Sequence, residues 1–332
     1  MRGKQPSGWL LAFSILLAVL RASPVSAAPD STPFRVGLSE AVNTALAIWM
    51  AEDAGFYRAD GLTVGITNMQ GGSRGAAELA AGKLDAMHVG LSSVIRLNKT
   101  GGDLRVIASL ANIIRFTFFS APGVTAAADL KGGVVGISSF GSETDSTVSL
   151  MMPRLGLTRN DVTLKEYGGG PRRIAALKSG EIKATPLNEP VASLAREAGV
   201  HVLLDLVPER IPWLFTAIVV NRKDIEVRRD ALARFIKATA EGNILALADE
   251  TRAKAVLAER AGIRDPKILD ISYQDFRALS PPNLEPTEAS AKNILMQFPD
   301  VSQNAGDYID MSILDALKRD GVFTALQQKY KR

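Results

Sequence analysis

Five short stretches gather small polar residues between an apolar run and a helical one: Ser39 with Asn43, Gly72 with Ser73, Ser92 with Ser93, Ser139 with Ser142 and Thr144, and Asn188 with Glu189. Residues of these types at strand-to-helix turns are suited to holding a molecule rather than to making or breaking its bonds. The start of a helix leaves N–H groups without partners and carries partial positive charge, and glycine lets backbone approach a bound molecule closely. In open α/β sheets ligands bind beyond the carboxyl ends of the strands, where such loops meet. Ser39, Asn43, Gly72, Ser73, Ser92, Ser139, Ser142, Thr144, Asn188 and Glu189 therefore form the candidate ligand-binding set. An anionic group can be held in such a place without a salt bridge. Each hydroxyl is accounted for equally well as a helix N-cap worth about 1 kcal/mol.

Other chemistries find little support. Neither glycine-rich stretch closes with the Lys-Ser/Thr of a phosphate-binding loop. The chain has no cysteine, which removes disulfides, thiolate metal sites, a cysteine nucleophile and a lipoprotein anchor. The two histidines, His88 and His201, stand in or beside short apolar runs and read as strand-end residues. No catalysis, metal or cofactor is expected. Glu189 is the one acid expected at the pocket mouth, either pairing with a cationic or hydroxylated solute group or complementing the dipole of its own helix. Arg74 and Arg172 read as solvated surface, and Trp213 as hinge packing or a cover over the solute.

The elements that position these loops are legible from a repeat. Gly71 to Ala86 returns 98 residues later as Gly169 to Ala184, with seven of sixteen aligned positions identical. In each copy an extended run leads to a glycine turn, an Ala/Leu-rich helix, a glycine stop and another apolar run. Two such units predict two similar α/β lobes, each with a parallel sheet and a small ligand between them. Strands are expected at Phe34–Leu38, Leu62–Ile66, Ala86–Val89 and Leu104–Leu110, then Val134–Ile137, Val162–Tyr167, Ile182–Leu187 and Val200–Leu204. Beyond residue 221 only helices are expected: Asp224–Ala248, Arg252–Ala261, Glu285–Phe298 and Met311–Arg319. The second lobe thus reads as an insert over 121–214 between a first part at 28–120 and a second at 215–332. Crossings at Phe116–Ser120 and Phe215–Asn221 would make a hinge.

At the N-terminus Arg2 and Lys4 precede the apolar run Trp9–Leu20, then Pro24 and the small-residue site Val25-Ser26-Ala27. This is the layout of a secretory signal over 1–27, too short in its apolar part for a permanent membrane span. Its removal takes away Arg2, Lys4 and Arg21 and no acid, lowering the formal charge from +4 to +1. Near-neutrality gives no electrostatic case for nucleic-acid binding. With 46% hydrophobic and 22% charged residues among 332, the chain is an ordinary globular protein. An exported, unanchored chain of this kind is expected in the periplasm.

The stretch Trp49-Met50-Ala51-Glu52-Asp53-Ala54-Gly55-Phe56-Tyr57 through Gly61-Leu62-Thr63-Val64 resembles a signature of the substrate-binding proteins of ATP-driven importers. The group is the one that takes nitrate, aliphatic sulfonates, taurine and thiamine pyrimidine precursors. Gly71-Gly72-Ser73, Ala80 to Asp85, Asp129-Leu130-Lys131-Gly132, Ile137 to Ser142 and Ala175 to Ala184 are similar to further motifs of the same group. The resemblance implies a type II periplasmic binding fold, two Rossmann-like lobes joined by a two-crossing hinge. It implies a monomeric receptor that delivers a small organic anion or zwitterion to an ABC permease. Lys183 stands where relatives often have Asp, and Leu187-Asn188-Glu189-Pro190 departs from their paired proline with an acid. Two alternatives are an enzyme on the same fold, of the menaquinone-pathway or thiamine-pyrimidine type, and a solute sensor for a signalling partner. The export signal and the absence of cysteine argue against the enzymes.

N-terminal sequencing of the exported protein should begin at Ala28. An intact Met1 in the membrane fraction would refute export by cleavage.

Overall fold

The computed structural model describes residues 33–331, with Met1 and Gly3. The expected signal segment 1–27 and its cleavage site lie outside the described residues, apart from those two. Among the described residues no helix is long and apolar enough to cross a membrane.

The chain alternates strand and helix as far as residue 221. The first lobe opens with β1 (Phe34–Leu38), α1 (Leu46–Asp53), α2 (Phe56–Ala59), β2 (Val64–Asn68), α3 (Gly72–Ala80), β3 (Ala86–Val89), α4 (Leu91–Lys99) and β4 (Leu104–Ile113). The second contains β5 (Thr117–Ser120), β6 (Val134–Ile137), α5 (Glu143–Arg154), β7 (Thr163–Glu166), α6 (Gly170–Ser179), β8 (Ala184–Leu187), α7 (Val191–Glu197) and β9 (His201–Asp205). The chain returns through β10 (Pro212–Asn221) and continues as α8 (Arg222–Val227), α9 (Arg229–Ala248), α10 (Glu250–Ala261), α11 (Pro266–Leu279), α12 (Glu288–Leu295), α13 (Ser312–Arg319) and α14 (Val322–Lys329).

Two five-stranded sheets result, in the orders β2-β1-β3-β10-β4 and β7-β6-β8-β5-β9. They are mixed rather than parallel as the repeat suggested. β10 runs antiparallel to β3 and β4, and β5 antiparallel to β8 and β9. The reason is directional. β1 and β3 end at the cleft, so a strand arriving from the other lobe enters at that end and runs the opposite way.

Sheet membership also moves the border between the lobes. The segments expected to form the hinge are strands inside the sheets, β5 in the second and β10 in the first. Only the short connectors at 114–116 and 206–211 remain outside. They bond to each other, with Ile114 N donating to Ile211 O at 3.1 Å and Leu206 N to Phe116 O at 3.1 Å. An extended apolar run is equally suited to a connector and to a buried strand, so composition alone does not separate them.

The repeat is a packing device. α3 and α6 each start at the second glycine of their copy. A Cβ on Gly72 would meet Val89 Cγ2 at 3.0 Å, and one on Gly170 would meet Val191 Cγ1 at 2.5 Å. The bare backbone lets the start of α3 sit against the end of β3 and the start of α6 against the start of α7. The stop glycines Gly82 and Gly180 have φ of 74° and 76°, the left-handed region that ends a helix. The copies diverge at their last variable position. Buried Asp85 accepts from Arg35 Nη2 at 2.9 Å and pairs with Arg228, whereas Lys183 reaches the Asp129 carbonyl at 2.6 Å, away from the cleft.

The first lobe is thickened by its C-terminal helices. The helix expected from Asp224 to Ala248 breaks at Arg228 into α8 and α9, while α11 and α14 lie in stretches without a sequence-level helix expectation. α9 lies on α1, and Phe235 stacks on Phe34 and Tyr57 at ring distances of 4.8 and 5.2 Å. At the crossing, a Cβ on Gly242 would come within 2.6 Å of Ala51 N and closer still to the Ala47 carbonyl. Backbone cannot yield there as a side chain can. Gly242→Ala should therefore destabilise the protein by about 1–3 kcal/mol, seen as a lower urea midpoint. An unchanged midpoint would mean that the two helices do not meet there.

Candidate functional site

The strand ends of both lobes converge on one small cavity of about 40 Å³. The first lobe supplies Ser39 and Glu40 after β1, Val42, Gly72 at the start of α3, and Val89 with Gly90 after β3. From the second come Ser138, Ser142, Glu143 and Thr144 between β6 and α5, and Asn188 after β8. Phe116, Phe215 and Thr216 close the hinge side, with the two phenyl rings edge to face at 5.0 Å.

Two helix starts face each other here. A Cβ on Gly72 would lie 3.8 Å from Ser142 Cβ, so α3 and α5 meet end to end across the cleft. Among the described residues, the N–H groups of Gly72, Ser73 and Arg74, and of Glu143, Thr144 and Asp145, have no protein acceptor. Beside them three hydroxyls form a closed triangle, with Ser142 Oγ 2.8 Å from Thr144 Oγ1 and Ser138 Oγ 3.0 Å from each. Thr144 Oγ1 also accepts from Ser138 N at 2.9 Å.

A third helix start at the cleft is already filled. Ser92 N donates to Glu143 Oε1 at 2.8 Å, and Ser92 Oγ and Trp213 Nε1 donate to Glu143 Oε2 at 3.1 and 2.7 Å. Thus the first side chain of α5 reaches across the cleft and sits on the N-terminus of α4. A Cβ on Gly90 would collide with that carboxyl group, so the absence of a side chain makes its room. The lobes are joined again by Ser73 Oγ donating to Ser139 Oγ at 2.7 Å and Ser93 Oγ to Gly141 O at 3.2 Å. Fully buried Arg173 donates from Nη2 to Glu40 Oε1 at 2.6 Å, from Nη1 to Pro186 O and from Nε to Gly168 O.

Of the ten expected site residues, Ser39, Gly72, Ser142, Thr144 and Asn188 line the cavity. Ser73 and Ser139 form an inter-lobe contact at its edge, and Ser92 is held by Glu143. Two lie elsewhere. Asn43 turns into α11, donating to Ser272 O at 3.0 Å and Asp275 Oδ2 at 2.9 Å. Glu189 faces a separate crevice beside α11 and serves its own helix, accepting from Ser193 N at 3.1 Å and Arg196 Nη1 at 2.8 Å. The dipole-complementing account of Glu189 is the one the geometry supports. Ser92 is likewise not a cap, since Gly90 holds the N-cap position of α4. Arg74 and Arg172 are exposed, as expected for surface. Trp213 is fully buried and binds Glu143, so it covers no cavity.

Glu40, Ser138, Glu143, Arg173 and Thr216 are the residues that sequence reasoning missed. Thr216 carried a signal, being the one hydroxyl in the apolar run Trp213–Val220. It stands where register shifts interrupt the β10–β4 ladder, an irregularity of the kind that re-aims a side chain. Its hydroxyl is buried on the cavity wall, at 5% residue exposure, without a hydrogen-bond partner among the described residues. Glu143 carried none, because an acid in a first turn is ordinary.

Of the groups around the cleft, Glu143 and His88 are strongly shifted. Burial pushes the Glu143 carboxyl up to about 7, against the pull of Trp213, Ser92 and Arg96. Burial pulls the His88 imidazole down to about 4, so it is neutral between Thr44 Oγ1 at 3.0 Å and Ser39 Oγ at 3.4 Å. Because the folded value for Glu143 exceeds the ordinary 4.5, the native state keeps a proton that the unfolded chain has lost. Its contribution is complete below about pH 4.5 and is lost as pH rises through about 7. His88 acts in the opposite sense, costing stability as pH falls from 6.5 toward 4. Glu143→Gln removes the first slope and keeps the second. Thermal melts should show wild type losing stability relative to this variant between about pH 4.5 and 7. A difference constant across that range would refute the assignment.

No curated protein matches the sequence. Among solved structures, a protein of Bordetella bronchiseptica RB50 is similar with a TM-score of 0.76 at 19% identity, covering 87% of this chain and 97% of its own. The periplasmic aliphatic sulphonate-binding protein SsuA of Escherichia coli matches at 0.61 and 18%, over 90% of this chain and 96% of its own. The periplasmic nitrate-binding protein NrtA of Synechocystis PCC 6803 matches at 0.65 and 12%, over 92% and 90%. At such identities the likeness concerns the fold, which is that of the periplasmic binding proteins, as the sequence resemblance implied. The family described as NMT1/THI5 like matches residues 43–253, more than half of the chain. The chain is a member of the NMT1/THI5-like family.

Proposed function

We propose that this protein is a periplasmic receptor that binds one small solute between its lobes, closes on it without chemistry, and delivers it as a monomer to an ABC permease. The observation that carries the reading is the Thr216 hydroxyl, buried on the wall of the inter-lobe cavity with no partner among the described residues. A buried hydroxyl left unpaired costs about 1–3 kcal/mol, and a solute polar group would relieve it. The fold shared with sulfonate-binding and nitrate-binding proteins supports the same role.

Of the two solute classes expected from sequence, the lining favours a zwitterion over a simple anion. The facing starts of α3 and α5, with free N–H groups, suit an acidic group. Glu40 and Glu143 are the charged side chains of the wall, and no Lys, Arg or His is among the lining residues. An amine at the other end of the solute would face those carboxyl groups.

A thermal-shift screen of aminosulfonates, amino acids, alkanesulfonates and nitrate should find a stabilising zwitterion, by about 2.7 kcal/mol at 100 times its dissociation constant. Scattering should show compaction with that solute. Thr216→Val should weaken its binding by about 1 kcal/mol or more in calorimetry while raising apo stability, because the unpaired hydroxyl is gone. Unchanged affinity would mean that Thr216 does not meet the solute, and no binder in the screen would remove the receptor reading.

A further inference from the structure

The start of α4 is a place where a solute anion would be expected, and the protein has put one of its own side chains there. α4 is nine residues long, and its first turn offers Ser92 N and Ser92 Oγ, with Trp213 Nε1 alongside. All three donate to the Glu143 carboxyl group, which comes from the opposite lobe. That carboxyl also lines the cavity, so it stands between the solute space and the α4 amide. Gly90 provides its room, since any Cβ there would collide with it. The unpartnered Thr216 hydroxyl on the same wall is independent evidence that this space receives a polar ligand.

We propose that Glu143 is a built-in carboxyl group that occupies the α4 donor site and so sets the specificity of the cavity, barring simple organic anions from that site and leaving α3 and α5 for the acidic group of a zwitterion. This rests on the receptor reading above. An incoming sulfonate or carboxylate at α4 would have to displace a tethered carboxyl group from three donors. A solute amine meets no such obstacle and gains an acceptor.

The test is calorimetry with propane-1-sulfonate and 3-aminopropane-1-sulfonate on wild type, Glu143→Ala and Glu143→Ser. Wild type should bind the aminosulfonate at least ten-fold more tightly than the simple sulfonate. Glu143→Ala should bind propane-1-sulfonate at least ten-fold more tightly than wild type does, and the aminosulfonate no more tightly. Unchanged or weaker sulfonate binding in a variant that melts cooperatively would overturn the proposal, reducing Glu143 to a structural link between the lobes. If Glu143→Ala fails to fold, Glu143→Ser, which keeps a polar group at the start of α5, is read by the same criteria. A wild type that binds zwitterions beside variants that gain nothing sinks this inference alone. Variants that gain sulfonate binding while wild type binds neither probe would sustain it and count against the zwitterion as solute.

Discussion

Every helix that begins at the cleft must find acceptors for its first N–H groups, and the arrangement of the two lobes follows from how each is supplied. α4 is supplied by Glu143 from the other lobe, and α7 by Glu189, just ahead of its own first turn. α3 and α5 have no protein acceptor for their first three N–H groups among the described residues, and they point at each other across the cavity. Donors left open in this way are suited to negative charge without a cation. The three clustered hydroxyls of Ser138, Ser142 and Thr144 stiffen the α5 side, so that the site keeps its shape.

Charge inside the cleft is handled by pairing or by neutralisation. Arg173, with no exposure, spends its guanidinium on two carbonyls and on Glu40, which keeps a buried cation satisfied and links the lobes. His88 is neutral in the fold, and Glu143 holds its proton more firmly than a free acid. The wall therefore presents dipoles and weakly charged carboxyl groups rather than fixed cations. Such a wall discriminates through hydrogen-bond direction, because a solute whose donors and acceptors are misplaced leaves buried groups unpaired.

The internal repeat shows how far a sequence pattern carries structure. Gly72 and Gly170 do the same packing job in both lobes, and Gly82 and Gly180 end their helices in the same backbone conformation. Neighbouring positions were free to diverge. Arg74 and Arg172, identical in the two copies, are both exposed, whereas Arg173, with glycine at the matching place in the first copy, is the buried residue that reaches Glu40. A glycine is dictated by backbone geometry within one unit, while an inter-lobe arginine is dictated by what lies opposite.

By itself the sequence determined the two-lobed α/β architecture, eight of the ten strands to within three residues, and five of the fourteen residues on the cavity wall. These depend on local signals: alternating apolar runs, glycine turns and small polar residues at helix starts. Only the tertiary structure decided the directions of β5 and β10, the position of the connectors, and the two further helices α11 and α14. It alone turned Asn43 and Glu189 away from the cavity and brought Glu40, Glu143 and Thr216 into it. The physical reason is that a side chain's role at an interface depends on the donors facing it. Ser92 and Trp213 stand 51 and 70 residues from Glu143, beyond the reach of any local pattern.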